Sequence, residues 1–138
     1  MTPGNIILLN GVMGAGKTSI AQALQSVMDV PYLNMDVDKL VSMLPDAYRE
    51  RPLGAKALDC TTQTGLLDRL DPCSPQLISG MHHTIAALAR TGNHVIAAHV
   101  LIDPGWLREC AQLFCELPTF FVGIRCPLAI LVARNQAS

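Results

Sequence analysis

The chain has 138 residues, of which half are hydrophobic and 15% are charged, and its formal net charge is −1. This length supplies one compact core and is too short for two domains. The balanced charge and the aromatic content of 4% argue against a nucleic-acid-binding surface. No apolar run approaches the roughly 18 residues that a membrane helix needs.

Cysteine usage and the amino terminus indicate where the protein resides. The chain begins without a basic stretch followed by an apolar one, so no signal peptide is predicted. The five cysteines include no CxxC pair, and their number is odd: Cys60, Cys73, Cys110, Cys115 and Cys126. Free thiols in a reducing compartment explain this best. We therefore expect a cytoplasmic protein.

The first third of the chain alternates between strand and helix patterns. The run 5–10 is continuously apolar, which is typical of a strand buried on both faces. After a Gly-rich turn, four apolar residues fall on one face of a helix: Ile20, Leu24, Val27 and Met28. A short strand is predicted over 31–34, and a short helix over 36–44 with Asp36 as its N-cap.

The pattern is lost between residues 46 and 75, where no helical or strand period is visible. A segment of this length is more often a lid or a substrate-binding insertion than a connector, and we expect a substrate-side insertion.

Regular patterns return after residue 75. A helix presents Leu77, Met81, Ile85 and Leu88 and ends at 91–93, and it is followed by a strand over 94–102. A helix from Pro104 carries Leu107, Cys110 and Phe114. A strand over 118–124 and a helix from Pro127 carrying Leu128, Leu131 and Val132 complete the chain. Strands that alternate with helices predict an α/β fold with a mainly parallel sheet, as one domain over 1–138.

One motif carries clear chemistry. Gly11-Val-Met-Gly-Ala-Gly-Lys-Thr18 matches GxxxxGK[ST] and lies between the first strand and the first helix. In such a loop the glycines let backbone amides turn toward phosphate oxygens, and the helix N-terminus adds to the field. Lys17 would reach the β- and γ-phosphates, and the Thr18 hydroxyl would bind Mg²⁺. The alternative is a Gly-rich turn without a ligand, and the strand–loop–helix context favours nucleotide binding.

The predicted nucleotide contacts are therefore a continuous run: Gly11, Val12, Met13, Gly14, Ala15, Gly16, Lys17, Thr18 and Ser19. A guanine-specific NKxD motif is absent from the sequence, so ATP is preferred over GTP. One small domain suits a small-molecule kinase.

Two carboxylates follow the second strand, at the sheet edge where phosphates bind. Asp36 and Asp38 are candidates for accepting the proton of an attacking hydroxyl or for holding substrate or metal. The alternative is helix capping, and Asp38 lies beyond the cap position. Asp38 is therefore the preferred catalytic residue, together with Lys17.

The chain resembles the chloramphenicol phosphotransferase-like family of P-loop kinases. The similar stretches include 7–11 with the P-loop, 32–38, 80–83, 86–90, 100–106 and 122–127. The resemblance implies a three-layer α/β/α kinase fold and ATP-dependent phosphorylation of a hydroxyl on chloramphenicol or a related antibiotic, which inactivates the drug. It makes Asp38 the general base and places Arg134 at the entry of a nucleotide-binding lid.

Three departures from the family pattern matter. Ala97–Ala98 precede His99 where the family has an acid near Mg²⁺, and Asp103 is the nearest substitute. The usual carboxy-terminal strand, helix and lid are not in this sequence, and Ser138 stands where a further arginine is expected. In a 2-3-1-4-5 sheet the fourth strand would then be an open edge, through which copies of the chain would associate.

Other polar residues have structural as well as functional interpretations. His82 and His83 point about 100° apart on a helix and cannot face one metal, which favours surface or partly buried positions. His99 is a core histidine or a substrate contact, and Trp106 a packing residue. Met13 faces the acceptor pocket or solvent. Arg125 pairs with phosphate or caps a helix.

The leading hypothesis is an ATP- and Mg²⁺-dependent phosphotransferase for a small-molecule hydroxyl, with no nucleic-acid or membrane partner. One alternative changes the acceptor to a sugar nucleotide or a shikimate-like metabolite. Another is a truncated relative that binds nucleotide without useful catalysis.

Overall fold

The structure is a computed structural model that describes residues 2–12, 14–46 and 74–137. Its strands are β1 (Ile6–Asn10), β2 (Tyr32–Met35), β3 (His94–His99) and β4 (Thr119–Gly123). Its helices are α1 (Lys17–Val27), α2 (Val37–Val41), α3 (Ser74–Arg90), α4 (Pro104–Phe114) and α5 (Leu128–Ala137). The predicted order of elements is confirmed. Met13 and nearly all of the predicted insertion over 46–75 lie outside the described residues.

The strands form a parallel sheet in the order β2-β3-β1-β4, which confirms the expected strand order. The register aligns Asn10 of β1 with His99 of β3 on one side and with Gly123 of β4 on the other. The carboxyl ends of three neighbouring strands therefore meet at one edge of the sheet, and the P-loop begins there.

Helices cover both faces of the sheet and form the predicted three-layer arrangement. On one face, α3 and α4 bury a cluster with β1 and β3 whose large members include Leu8, Met81, Ile85, Val95 and Phe114. On the other face, α1 packs Ala21 against Ile7, Leu9 and Ile96. The continuous apolar runs of β1 and β3 follow from this, because each strand contributes side chains to both clusters.

The predicted face of α1 is wrong in part. Ala21 is fully buried, with Leu24 and Met28 packed beside it, whereas Ile20 and Val27 are exposed. Because alanine is small, α1 approaches the sheet closely at Ala21, and the buried face of the helix is centred on this residue. Likewise, Leu107 of α4 is exposed and the third strand ends at His99, short of the predicted residue 102.

The outer strand β4 is unusually exposed for an apolar strand. Phe120, Phe121 and Val122 are 58%, 48% and 40% exposed, and β4 pairs only with β1 among the described strands. In the following helix α5, Leu131 is buried while Leu128 and Val132 are exposed. The predicted open edge is therefore present within the described part of the chain. None of the described helices is both long and apolar enough to cross a membrane.

Candidate nucleotide and acceptor site

Glycines shape the P-loop at the end of β1. Gly14 and Gly16 have φ values of 84° and 99°, in the left-handed region that side chains disfavour. At Gly11 a Cβ atom would lie 2.7 Å from the carbonyl oxygen of Ile124, so the loop passes too close to the chain after β4 for any side chain. Gly11 and Gly16, the two positions at which the motif requires glycine, are thus ones that a side chain would obstruct or strain.

The Lys17 ammonium is held inside the loop. Its Nζ donates hydrogen bonds to the carbonyl oxygens of Gly11 at 2.6 Å and Val12 at 2.8 Å. Burial lowers the pKa of Lys17 from 10.5 to about 8, because removal from water disfavours the charged form. An anion bound in the loop would again favour the charged form of the Lys17 amine.

The N-terminus of α1 is open toward the same space. Gly16 caps the helix without a side-chain hydrogen bond, and the first turn holds no acidic residue. The first amides of a helix have no intrahelical acceptor, so those of Lys17, Thr18 and Ser19 are available to a phosphate group. Sequence and structure agree that this end of α1 suits an anion.

The P-loop forms one wall of a cavity of about 690 Å³, the site cavity. The residues that line it are 14–20, Asp36, Val37, Asp38, Ile78, 98–100, Trp106 and Arg134. Most of the predicted site residues therefore line the site cavity. Gly11 and Val12 are not among the lining residues, and their carbonyl groups accept hydrogen bonds from Lys17 Nζ.

The two candidate carboxylates have different environments. Asp36 accepts a hydrogen bond from the Lys39 amide at 2.9 Å as the N-cap of α2, and its other oxygen lies 3.2 Å from Lys39 Nζ. Asp38 is exposed and lines the site cavity, and its carboxylate has no partner among the described residues. Asp36 is therefore occupied by capping, whereas Asp38 is available to a ligand.

The residues present fit a magnesium–nucleotide complex. The P-loop, in which Gly16 has a φ of 99°, suits phosphate oxygens through the free amides of α1 and through Lys17. The Thr18 hydroxyl and the carboxylate of Asp38, which unlike that of Asp36 is not engaged in capping, offer the oxygen donors that Mg²⁺ prefers. Asp103 does not, because its carboxylate accepts the Gly105 amide at 2.8 Å as the N-cap of α4. The expected substitute acid is therefore engaged elsewhere.

His99 takes the position at the end of β3 where an acid was expected. It is 3% exposed, which confirms the core position, and it lines the site cavity, so a substrate contact stays a prediction. Its ring stacks on Trp106 with the centroids 5.6 Å apart. Trp106 therefore packs on His99 and at the same time forms part of the cavity wall.

His82 is fully buried behind His99, so the expected surface or partly buried position is wrong for His82, whereas His83 is exposed. The Nε2 atoms of His82 and His99 are 2.8 Å apart, and His82 Nδ1 lies 2.5 Å from Glu109 Oε1. Glu109 was not singled out in the sequence. Ile78, His82 and Ile85 fall on one face of α3 and are all buried. This spacing is the feature of the sequence that could have predicted a buried His82.

Arg134 reaches the P-loop from α5. Its Nη1 donates a hydrogen bond to the Gly14 carbonyl at 2.7 Å, which places the predicted lid arginine beside the loop. Arg125 is exposed. The described ranges hold no group of three or more His, Cys, Asp or Glu side chains that could bind a metal ion.

Comparison with known proteins agrees with this geometry. The family model described as "Chloramphenicol phosphotransferase-like protein" matches residues 4–138. The chain belongs to the chloramphenicol phosphotransferase-like family. The "Putative O-phosphotransferase Rv2636" of Mycobacterium tuberculosis (strain ATCC 25618 / H37Rv) is 30% identical over 131 residues, which cover 90% of this chain. The chain spans 58% of the length of the curated relatives it matches.

Solved structures confirm the P-loop kinase fold. The Mycobacterium tuberculosis APS kinase CysC in complex with AMPPNP and APS has a TM-score of 0.66 at 15% identity, covering 98% of this chain and 70% of that one. A sugar kinase from Janibacter sp. HTCC2649 has a TM-score of 0.64 at 18% identity, covering 99% and 68%. At these identities the likeness concerns the fold.

Proposed function

We propose that this member of the chloramphenicol phosphotransferase-like family transfers the γ-phosphate of ATP to a hydroxyl group of an uncharged small molecule. Chloramphenicol or a related compound is the favoured acceptor. The observation that carries the proposal is the composition of the site cavity. The P-loop with Lys17 lines this cavity together with Asp38, whose carboxylate has no partner among the described residues.

The residues divide the reaction between them. Lys17 and the amides at the start of α1 bind the phosphates, and Asp38 accepts a hydrogen bond from the acceptor hydroxyl and then its proton. Magnesium, when bound, would neutralise phosphate charge. Because phosphoryl transfer passes through a loose transition state, orienting the hydroxyl is the larger part of what Asp38 contributes.

The charge distribution favours an uncharged acceptor. Outside the P-loop and Arg134, the described lining of the site cavity includes the acids Asp36 and Asp38 together with the apolar or aromatic Ile78 and Trp106. The cations among the lining residues, Lys17 and Arg134, both lie at the P-loop. An anionic acceptor, such as a sugar nucleotide or a shikimate-like acid, would meet like charge at this wall.

Two variants test the roles separately. Asp38→Asn keeps the size of the side chain and removes the base, so phosphate transfer should fall by about 10²–10⁴-fold while ATP affinity stays within twofold. Lys17→Ala should weaken ATP binding itself. Titration calorimetry gives the affinity, and transfer of label from ATP gives the rate. Equal loss of binding and transfer in Asp38→Asn would contradict its role.

A second candidate function is nucleotide binding without efficient transfer. This function is favoured because the described residues at the end of β3, Ala98 and His99, supply no carboxylate and Asp103 is engaged in capping. In that case the wild-type chain would bind ATP with Lys17-dependent affinity and release no phosphorylated product with any acceptor.

The open edge of β4 supports a proposal about association. Unpaired backbone groups on an edge strand, flanked by exposed Phe121 and Val122, are a template for another strand. A second copy of this chain fits, because two identical edges pair antiparallel about a twofold axis. Light scattering tests this proposal, as described below.

A further inference from the structure

A hydrogen-bonded chain of three side chains runs from the surface of α4 to the site cavity. Glu109 Oε1 contacts His82 Nδ1, and His82 Nε2 contacts His99 Nε2. His82 is fully buried and His99 nearly so. The Ser79 hydroxyl donates to the second oxygen of Glu109 at 2.9 Å, which holds that carboxylate in place.

The carboxylate fixes which ring nitrogens carry protons. Burial raises the pKa of Glu109, but the hydrogen bonds from His82 and Ser79 outweigh it and leave the pKa below the usual value. Glu109 is therefore an acceptor, and His82 donates to it through Nδ1–H. Burial lowers the pKa of His82, so its ring is neutral and Nε2 carries a lone pair.

The same logic continues to His99. Two neutral rings joined through Nε2 atoms need one donor, so His99 donates through Nε2–H to His82. A neutral imidazole has one protonated nitrogen, which leaves Nδ1 of His99 with a lone pair. No described residue donates a hydrogen bond to this atom, and His99 belongs to the lining of the site cavity.

From this geometry we infer that Glu109 and His82 are positioning residues that hold His99 in one tautomer, and that His99 Nδ1 accepts a hydrogen bond from a hydroxyl or amide N–H group of the acceptor molecule. The inference rests on the proposed phosphate transfer to a hydroxyl compound. It adds a recognition rule to that function, namely that the acceptor carries a second donor beside the reacting hydroxyl.

Recognition by a neutral histidine also has a physical rationale at this place. A carboxylate at the end of β3 would add negative charge beside the phosphates, whereas the neutral ring accepts a hydrogen bond without it. Because burial and the neighbouring His82 and Lys17 lower the pKa of His99 to about 3, the ring remains an acceptor near neutral pH. Trp106, stacked on the ring, keeps its plane fixed.

The tautomer is tested first and requires no substrate. Nitrogen NMR of the protein labelled at histidine distinguishes protonated from bare ring nitrogens, and the His99→Asn spectrum assigns the His99 signals. At pH 7 we expect Nδ1 of His99 to be bare and Nε2 to be protonated. A protonated Nδ1 overturns the inference.

Glu109→Gln tests the positioning role of Glu109, which is not among the residues that line the cavity. The amide can donate to His82 Nδ1, which reverses the donor order and populates His99 with Nδ1 protonated. Ser79→Ala is the matched control, because it removes a partner of Glu109 and leaves the histidine pair intact. An unchanged His99 spectrum in Glu109→Gln overturns the role of the relay.

Recognition is then measured with chloramphenicol, or with whichever hydroxyl compound takes the label from ATP. His99→Phe keeps a flat ring against Trp106 without the lone pair, and its acceptor KM should rise at least tenfold, or about 1.4 kcal/mol. His99→Asn, whose oxygen approximates Nδ1, should recover part of this loss, and the KM for ATP should stay within twofold. An unchanged acceptor KM in His99→Phe overturns the inference. A wild-type chain that phosphorylates no compound refutes the proposed function and removes the recognition rule with it, whereas the tautomer result still decides the relay.

Discussion

His99 makes the stability of the native fold depend on pH in a way that can be calculated. Its pKa is lowered from 6.5 to about 3 in the folded chain, first by burial and then by the nearby His82 and Lys17. The unfolded chain therefore binds more protons at this residue than the native chain between pH 6.5 and 3. By linkage, the free energy of unfolding falls as the pH is lowered through this range.

The size of the effect follows from the two pKa values. At pH 7 about a quarter of the unfolded chains carry the proton on His99, and at pH 5 nearly all do, while the native ring stays neutral at both. Integration over this interval gives a loss of about 2 kcal/mol from this residue alone. The lowered pKa of His82 acts in the same direction.

Urea unfolding followed by circular dichroism at pH 7 and pH 5 measures this loss. His99→Gln is the comparison, because its amide can still donate to His82 Nε2 but does not titrate. The difference between the wild type and the variant cancels the contributions of the other histidines. We expect the wild type to lose about 2 kcal/mol more than His99→Gln. Equal losses in the two proteins would refute the assignment of a neutral, buried His99.

Three further predictions concern the core, the P-loop and the sheet edge. Ile85→Ala removes a fully buried side chain and should lower the free energy of unfolding by about 2–5 kcal/mol in urea titrations, and a loss below about 1 kcal/mol would be inconsistent with this packing. Gly11→Ala should weaken ATP binding at least tenfold in calorimetry, because its Cβ would meet the Ile124 carbonyl. Gly80 has nothing within 4 Å of an added Cβ, so Gly80→Ala should instead stabilise the fold by about 0.5–1 kcal/mol. Val122→Lys should convert a dimer into a monomer in light scattering, and a wild type that is already monomeric would exclude pairing along β4.

The hydropathy pattern predicted the order of elements well because buried parallel strands leave a strong signal. The continuous apolar runs of β1 and β3 contribute to two clusters at once, as is typical of parallel strands buried on both faces. The pattern was less informative for α1. There the buried contact is made by Ala21. Its small size decides how closely the helix packs, but alanine adds little to the hydrophobic periodicity on which the prediction was based.

The candidate site was predictable where a local motif requires a particular backbone. Gly11, Gly14 and Gly16 each have a position that a side chain would obstruct or strain, so the P-loop is readable from residue types and spacing. The distinction between Asp36 and Asp38 needed the structure, since both are acids at the start of one helix. Only the hydrogen bonds of Asp36 show which carboxylate is occupied.

The histidine relay was not predictable, because its members are separated along the chain. Glu109 and His82 are 27 residues apart, and His82 and His99 are 17 apart. Their contact depends on the packing of α3 against α4 and on where β3 ends. The predicted roles of Met13 and of most of the segment 46–75 fall outside the described residues, and the cytoplasmic location stays a prediction.

Transfer of labelled phosphate from ATP tests the central claim most directly. The wild type and Lys17→Ala are incubated with labelled ATP, Mg²⁺ and either chloramphenicol or an anionic hydroxyl compound such as a sugar acid. We predict that label appears on chloramphenicol with the wild type, that it is lost with Lys17→Ala, and that the anionic compound takes little. Binding of ATP without label on any acceptor would contradict the proposed phosphotransferase, and label on the anionic compound alone would contradict the acceptor class derived from the cavity wall.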